Sequence, residues 1–174
     1  MLTDLSQTTQ VLMEEMESLR AAIINNIRTT GQWASGATAA SMQVITSGNT
    51  VSLVGRSPFG TLETGRKAGR VPRNMADIIY RWMQAKGVHG RPMPYKRQGP
   101  HKYPDAQTRG DMYMASAISH TIATMGTRLY RNGGRDDVYS TEIPKTMERI
   151  QQRLGIIFQA ITEEQIKSNL RETN

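Results

Sequence analysis

Residues 56–88 read RSPFGTLETGRKAGRVPRNMADIIYRWMQAKGV, a Pro- and Gly-punctuated basic segment that runs into a helix pattern over 75–86. Asn74 has the short polar side chain that accepts a backbone N–H at a helix start, and Asp77 stands three residues on. Met75, Ile78, Ile79, Trp82 and Met83 recur at the i, i+3, i+4, i+7 spacing of one buried face, whereas Arg81 and Gln84 fall on the wet side. Lys86 occupies the last turn and Gly87 follows it, where a residue that accepts positive φ ends a helix. The pattern predicts a helix docked on a core through Ile78, Ile79 and Trp82.

Upstream, residues 3–29 predict a long helix with Leu5, Leu12, Met16, Leu19, Ile23 and Ile27 on one stripe and Glu14, Glu15, Glu17 and Arg20 off it. The stripe is narrow and suits either packing on its own domain or a coiled-coil seam with another copy. Residues 41–55 predict a β-hairpin, because Gly48-Asn49 separates two β-rich runs. A two-stranded ribbon is marginal alone, so a third strand or a helix must cover it. Residues 136–143, with Val138, Tyr139 and Ile143, are β-capable and could supply that strand.

Ser57-Pro58 opens a short turn of helix reaching about Arg66. Residues 88–110 hold four prolines and form an irregular segment of a length that is generally functional or held by a partner. A further helix is predicted over 109–131, stopped by Asn132-Gly133-Gly134, and Pro144 suits the first turn of a last one. The reading is an α+β single domain over 1–174: long amphipathic helices on a small antiparallel sheet, with basic arms at about 56–73 and 88–110.

Composition narrows the function. The 174 residues contain no cysteine, which excludes disulfides, thiolate zinc sites and cysteine nucleophiles. No apolar run approaches about 18 residues, and Leu2-Thr3-Asp4 lacks the basic start of a signal peptide, so synthesis in the cytoplasm and no membrane partner are expected. Hydrophobic residues make up only 37%, with eleven methionines, which suits either surfaces left for neighbours to bury or, for most of the methionines, simple filling of helix cores. His89, His101 and His120 have no metal-ligand spacing, no Gly-x-Ser-x-Gly elbow exists, and the glycines of 60–69 lack a Gly-Lys-Ser/Thr signature. No cofactor, no metal and no catalytic residue is expected.

The net charge of +7 is concentrated: residues 56–102 carry eleven cations against Glu63 and Asp77, a surplus of +9. Arg66, Lys67, Arg70, Arg73, Arg91, Lys96, Arg97 and Lys102 lie on irregular backbone with Tyr95 and Tyr103 interleaved. Such a set suits either a nucleic-acid phosphate backbone or acidic patches on neighbouring subunits. No helix-turn-helix, zinc-finger, RRM or KH signature accompanies it, so contact with DNA would be non-specific.

A strand ending in Val54-Gly55, then Leu62-Glu63-Thr64-Gly65, an amphipathic helix with Trp82 and a closing Lys86-Gly87 follow in that order. This order resembles the neck proteins of tailed bacteriophages, the tail-completion or head–tail joining class. Residues 34–41, ASGATAAS, are similar to the Thr-Gly-x-Leu-x-x-Ser segment before the first strand there, with Ser35 for Thr and no Leu. Leu62–Gly65 approximates that class's Glu-x-Gly-Thr with the last residues in another order. The resemblance spans about residues 34–130. It implies a virion protein forming a homo-oligomeric ring, with portal, neck or tail proteins as partners and genomic DNA passing through. In that setting the two basic arms would order on assembly. The alternative is a small non-specific DNA-binding protein using the same basic stretch.

Overall fold

The computed structural model describes residues 2–96, 99, 100 and 102–172. The chain forms α1 (Leu2–Thr29), α2 (Ala37–Ala40), the hairpin β1 (Gln43–Ser47) and β2 (Thr50–Val54), a 3-10 turn at Ser57–Gly60, α3 (Thr61–Thr64), α4 (Met75–Lys86), α5 (Ala106–Met125), α6 (Arg128–Arg131) and α7 (Glu142–Glu172). Helices packed with one two-stranded antiparallel sheet make this an α+β chain, as the sequence predicts. Its contacts sort into two compact units, 1–32 with 38–59 and 136–174, and 33–37 with 60–135.

In the first unit, α1 buries Val11, Glu15, Leu19, Ile23 and Ile27, a row at strict i+4 spacing. The row lies one residue off the predicted stripe in its first half, because it includes a carboxylate. Glu15 accepts from Arg149 Nε at 2.7 Å and Arg153 Nη1 at 3.0 Å, while Arg153 Nη2 reaches Glu14 at 2.6 Å. These bonds tie α1 to α7. The bond from Arg149, opposed by burial and aided by Arg153, holds the Glu15 carboxyl below its ordinary pKa. At the far end of α1, Asn26 Nδ2 donates to the Val138 carbonyl at 3.1 Å, so the two segments run antiparallel.

The hairpin pairs Gln43 with Val54 through Ser47 with Thr50, leaving Gly48-Asn49 as a two-residue loop. Gly48 has φ 57, the conformation such a loop asks of its first residue. Both strands pack on α1, which covers the ribbon in place of a third strand. Residues 136–143 are not a strand. Thr141 N bonds to the Asp136 carbonyl, and Glu142 N and Ile143 N to the Tyr139 carbonyl, so local turns use the donors that a ladder would need. Val138 from this segment is fully buried, and Tyr139 packs its ring 5.3 Å from that of Phe59.

In the second unit, α4 has the predicted span. Asn74 makes no side-chain cap bond. The other end closes as predicted: Gly87 takes φ 63, its N–H reaches the Gln84 carbonyl, and Val88 N reaches the Met83 carbonyl, a Schellman motif. The predicted core splits. Ile79 and Met83 are buried against Ala115 of α5, with Met75, Tyr80, Ile118 and Ile122 around them. Ile78 and Trp82, expected in that core, are 43% and 42% exposed. With α5 as its packing partner, α4 buries the 75/79/83 row and leaves the 78/82 row on the edge.

α5 begins three residues earlier than predicted, because Asp105 caps it by accepting from Thr108 N at 2.7 Å and Thr108 Oγ1 at 2.9 Å. It stops at Gly126, φ 78, where a Cβ would stand 2.7 Å from the Arg66 carbonyl oxygen.

Met83→Ala removes a fully buried side chain and should cost about 2–5 kcal/mol. Trp82→Ala, on the exposed edge, should cost less than about 2 kcal/mol. Chemical denaturation of both variants checks the order; a Trp82 variant less stable than the Met83 variant would place the α4 core elsewhere.

Candidate interaction surface on the central basic stretch

The segment after α4 is held by one buried carboxylate. Asp111, in the second turn of α5, is 1% exposed. Its Oδ1 accepts from Gly90 N at 2.7 Å and Gln107 Nε2 at 2.8 Å. Its Oδ2 accepts from Gln84 Nε2 at 3.0 Å and bonds His89 Nδ1 at 3.1 Å. A carboxylate oxygen can only accept, so the imidazole proton sits on Nδ1 in this contact. Burial alone would push the Asp111 pKa up; the bonds from His89, Gly90, Gln107 and Gln84 outweigh it, and the net shift is downward.

Backbone contacts extend the clamp. A Cβ on Gly90 would lie 2.4 Å from the Gly110 carbonyl oxygen, and a Cβ on Gly110 would lie 2.1 Å from the Arg91 carbonyl oxygen. Only two glycines permit this approach. Met93 N donates to the Ala106 carbonyl at 2.8 Å, and Arg109 Nη1 donates to the Pro94 carbonyl at 3.1 Å. The Arg109 guanidinium lies 4.3 Å from the Tyr95 ring centroid, and Tyr95 Oη accepts from Tyr103 N at 3.3 Å. Residues 88–95 are therefore irregular yet fastened along α5.

The 65–73 segment is fastened in the same way. Arg66 N donates to Thr127 Oγ1 at 2.9 Å and the Arg66 carbonyl accepts from Thr127 N at 2.8 Å. Gly65, φ 69, brings its Cα against Tyr130 N, where a Cβ would stand at 2.5 Å. Gly69 N reaches the Ala123 carbonyl at 2.8 Å.

The residues expected to meet DNA or a partner therefore separate into two groups. Lys67, Arg70, Arg73, Arg91, Lys96 and Lys102 are exposed, and among the described residues none of them enters an ion pair. Arg66 is half-buried and donates through Nη2 to the Arg70 carbonyl at 2.8 Å, a structural role. Tyr95 and Tyr103 are half-buried, the first against Arg109 and the second with Lys102 Nζ at 5.3 Å from its ring. Arg97 lies outside the described residues.

Sequence reading missed Asp111, Gln107, Gln84 and Arg109, the residues that hold the surface. The hint was an Asp one turn after a Gln near the start of an amphipathic helix, positions where polar residues usually face water. Among the described residues no group of His, Asp and Glu could hold a metal ion, and no helix is long and apolar enough to cross a membrane. Comparison of the chain with family models, curated proteins and solved structures gave no match.

Asp111→Asn puts an amide N–H₂ against donors that need an acceptor, which should cost about 1–3 kcal/mol at neutral pH. It should also open 88–95 to chymotrypsin after Tyr95. The Asp111 pKa is depressed in the fold, so its contribution is full above the ordinary aspartate range and is lost as pH falls through about 4 and below. The gap in Tm between wild type and Asp111→Asn should therefore close on acidification; a constant gap from neutral pH to pH about 2 would contradict the carboxylate role.

Proposed function

We propose that this chain is a non-catalytic structural subunit of a bacteriophage neck, forming a ring with its own copies and joining portal to tail proteins in the virion. The observation that carries the reading is the amount of apolar side chain left in water on both units. Ile143, Met147, Phe158 and Leu170 are 45–63% exposed in the first, and Ile78, Trp82 and Met125 are 42–52% exposed in the second. Surfaces of this kind suit a protein whose neighbours complete its burial. The motif order from Val54 to Gly87 supplies the class.

The fastened basic surface fits the same role. Exposed cations that enter no ion pair among the described residues, on an anchored backbone, suit weak contact with passing phosphates, which a channel lining requires. They also favour the second reading, a dedicated non-specific DNA-binding protein, and affinity separates the two. In a ring, each subunit's contact must be weak enough for DNA to slide.

Light scattering on the purified chain at rising concentration, with electron microscopy of the assembled fraction, should reveal closed oligomers. Duplex binding by the isolated chain at physiological salt should be weak and indifferent to sequence. Neutralising Arg91, Lys96, Arg97 and Lys102 together should leave Tm within about 1 °C, since exposed loop charges contribute little to stability. The same variant should impair head–tail joining in particles. Tight duplex binding by a chain that stays monomeric would replace the ring reading with the DNA-binding one.

A further inference from the structure

The last half of α7 and the edge of α4 and α5 are two exposed surfaces of opposite character. On α7, Ile156, Gln159, Glu163, Ile166 and Leu170 fall at i, i+3, i+7, i+10 and i+14, the a/d seam of two heptads. The helix positions that meet α1, Arg153 and Ile157 among them, lie on another side of the helix. Ile156, Ile166 and Leu170 are 69%, 54% and 63% exposed. Gln159 Nε2 donates to Glu163 Oε1 at 3.1 Å, which keeps the carboxylate on this seam. The seam is about 21 Å long at the helical rise.

The second surface is a groove of about 540 Å³ whose lining includes Trp82, Met114, Ile118, Ile122 and Leu129, with Arg128 and Arg131 also in its wall. Both arginines are exposed, and among the described residues neither enters an ion pair. From Met114 to the end of α5 the groove offers about 17 Å of helix side, matching three turns of an incoming helix.

We infer that the Ile156–Leu170 seam of one copy docks in the Trp82–Leu129 groove of the next, with Glu163 set against Arg128 and Arg131. Charge decides the occupant. Two α7 seams pairing in parallel would bring Glu163 against Glu163 at a core position, a like-charge contact that disfavours self-pairing. The groove supplies apolar walls for Ile166 and Leu170 and cations for the single acidic position. Seam and groove are different patches, so each copy offers both halves and the contact is head-to-tail, the type that builds a ring where its rotation closes. This interface rests on the ring reading and names the surfaces that would build it.

The test uses the full chain and sedimentation velocity. Ile166→Asp with Leu170→Asp removes the seam at exposed positions, and circular dichroism verifies that α7 is retained. Arg128→Glu with Arg131→Glu reverses the groove. Each variant alone should be monomeric where wild type assembles, and an equimolar mixture should form dimers and nothing larger, since each mixed pair keeps one intact contact. Glu163→Arg should lower assembly at least tenfold and regain it when combined with Arg128→Glu and Arg131→Glu on the same chain. Variants that assemble like wild type would overturn this interface and leave the ring reading standing. Monomeric variants whose mixture gives no dimer would also overturn it, because the groove is then not filled by another copy's seam. Wild type that stays monomeric at every concentration would overturn both.

Discussion

A single desolvated carboxylate organises the second unit. Asp111 accepts four hydrogen bonds from four different residues, and these come from α4, from the segment after it and from α5 itself. An ionised group so deeply buried is costly unless its lone pairs are filled, and filling them fixes every donor at once. The direction of the segment leaving α4, the backbone approach at Gly90 and Gly110, and the placement of Arg91 through Tyr95 all follow from that requirement.

The first unit uses a carboxylate differently. Glu15 is nearly as buried, but its partners Arg149 and Arg153 are about 40% exposed, so the pair sits at the margin of the α1–α7 contact. Water screens much of its attraction, and its main consequence is register: α7 meets α1 where two arginines one turn apart straddle one glutamate. Apolar burial of Leu19, Ile23 and Ile27 supplies the adhesion that the ion pair aligns.

Much of the fold is legible in the sequence. Helical periodicity and glycine punctuation located α1, α4, the hairpin turn and the start of α7, because these depend on local spacing and backbone conformation. What stayed hidden depends on partners distant in sequence. Nothing local distinguishes the buried Asp111 from a solvated helix aspartate, or Glu15 from its neighbours Glu14 and Glu17. The 78/82 row of α4 has the same apolar spacing as the buried 75/79/83 row, and only the arrangement of α5 separates them. The 136–143 run has strand-forming residues, yet its N–H groups close turns instead. For the basic surface, Lys67, Arg70, Arg73, Arg91, Lys96 and Lys102 are exposed as an interaction surface needs, whereas Arg66 is half-buried and the rings of Tyr95 and Tyr103 lie against Arg109 and Lys102, contacts that depend on partners outside the local pattern.

The paired glycines at 90 and 110 divide the loop into parts with unequal freedom to vary. On the α5 side of the clamp, any added side chain collides with backbone, and the bonds of Met93, Tyr95 and Tyr103 fix the two flanks. Lys96 and Lys102, which stand between those flanks, are exposed. Charge there can be gained, lost or reversed by substitution without disturbing the scaffold that displays it. The fold thus separates a backbone scaffold, fixed by Asp111, Gly90 and Gly110, from the surface charge of Lys96 and Lys102, which substitution can tune.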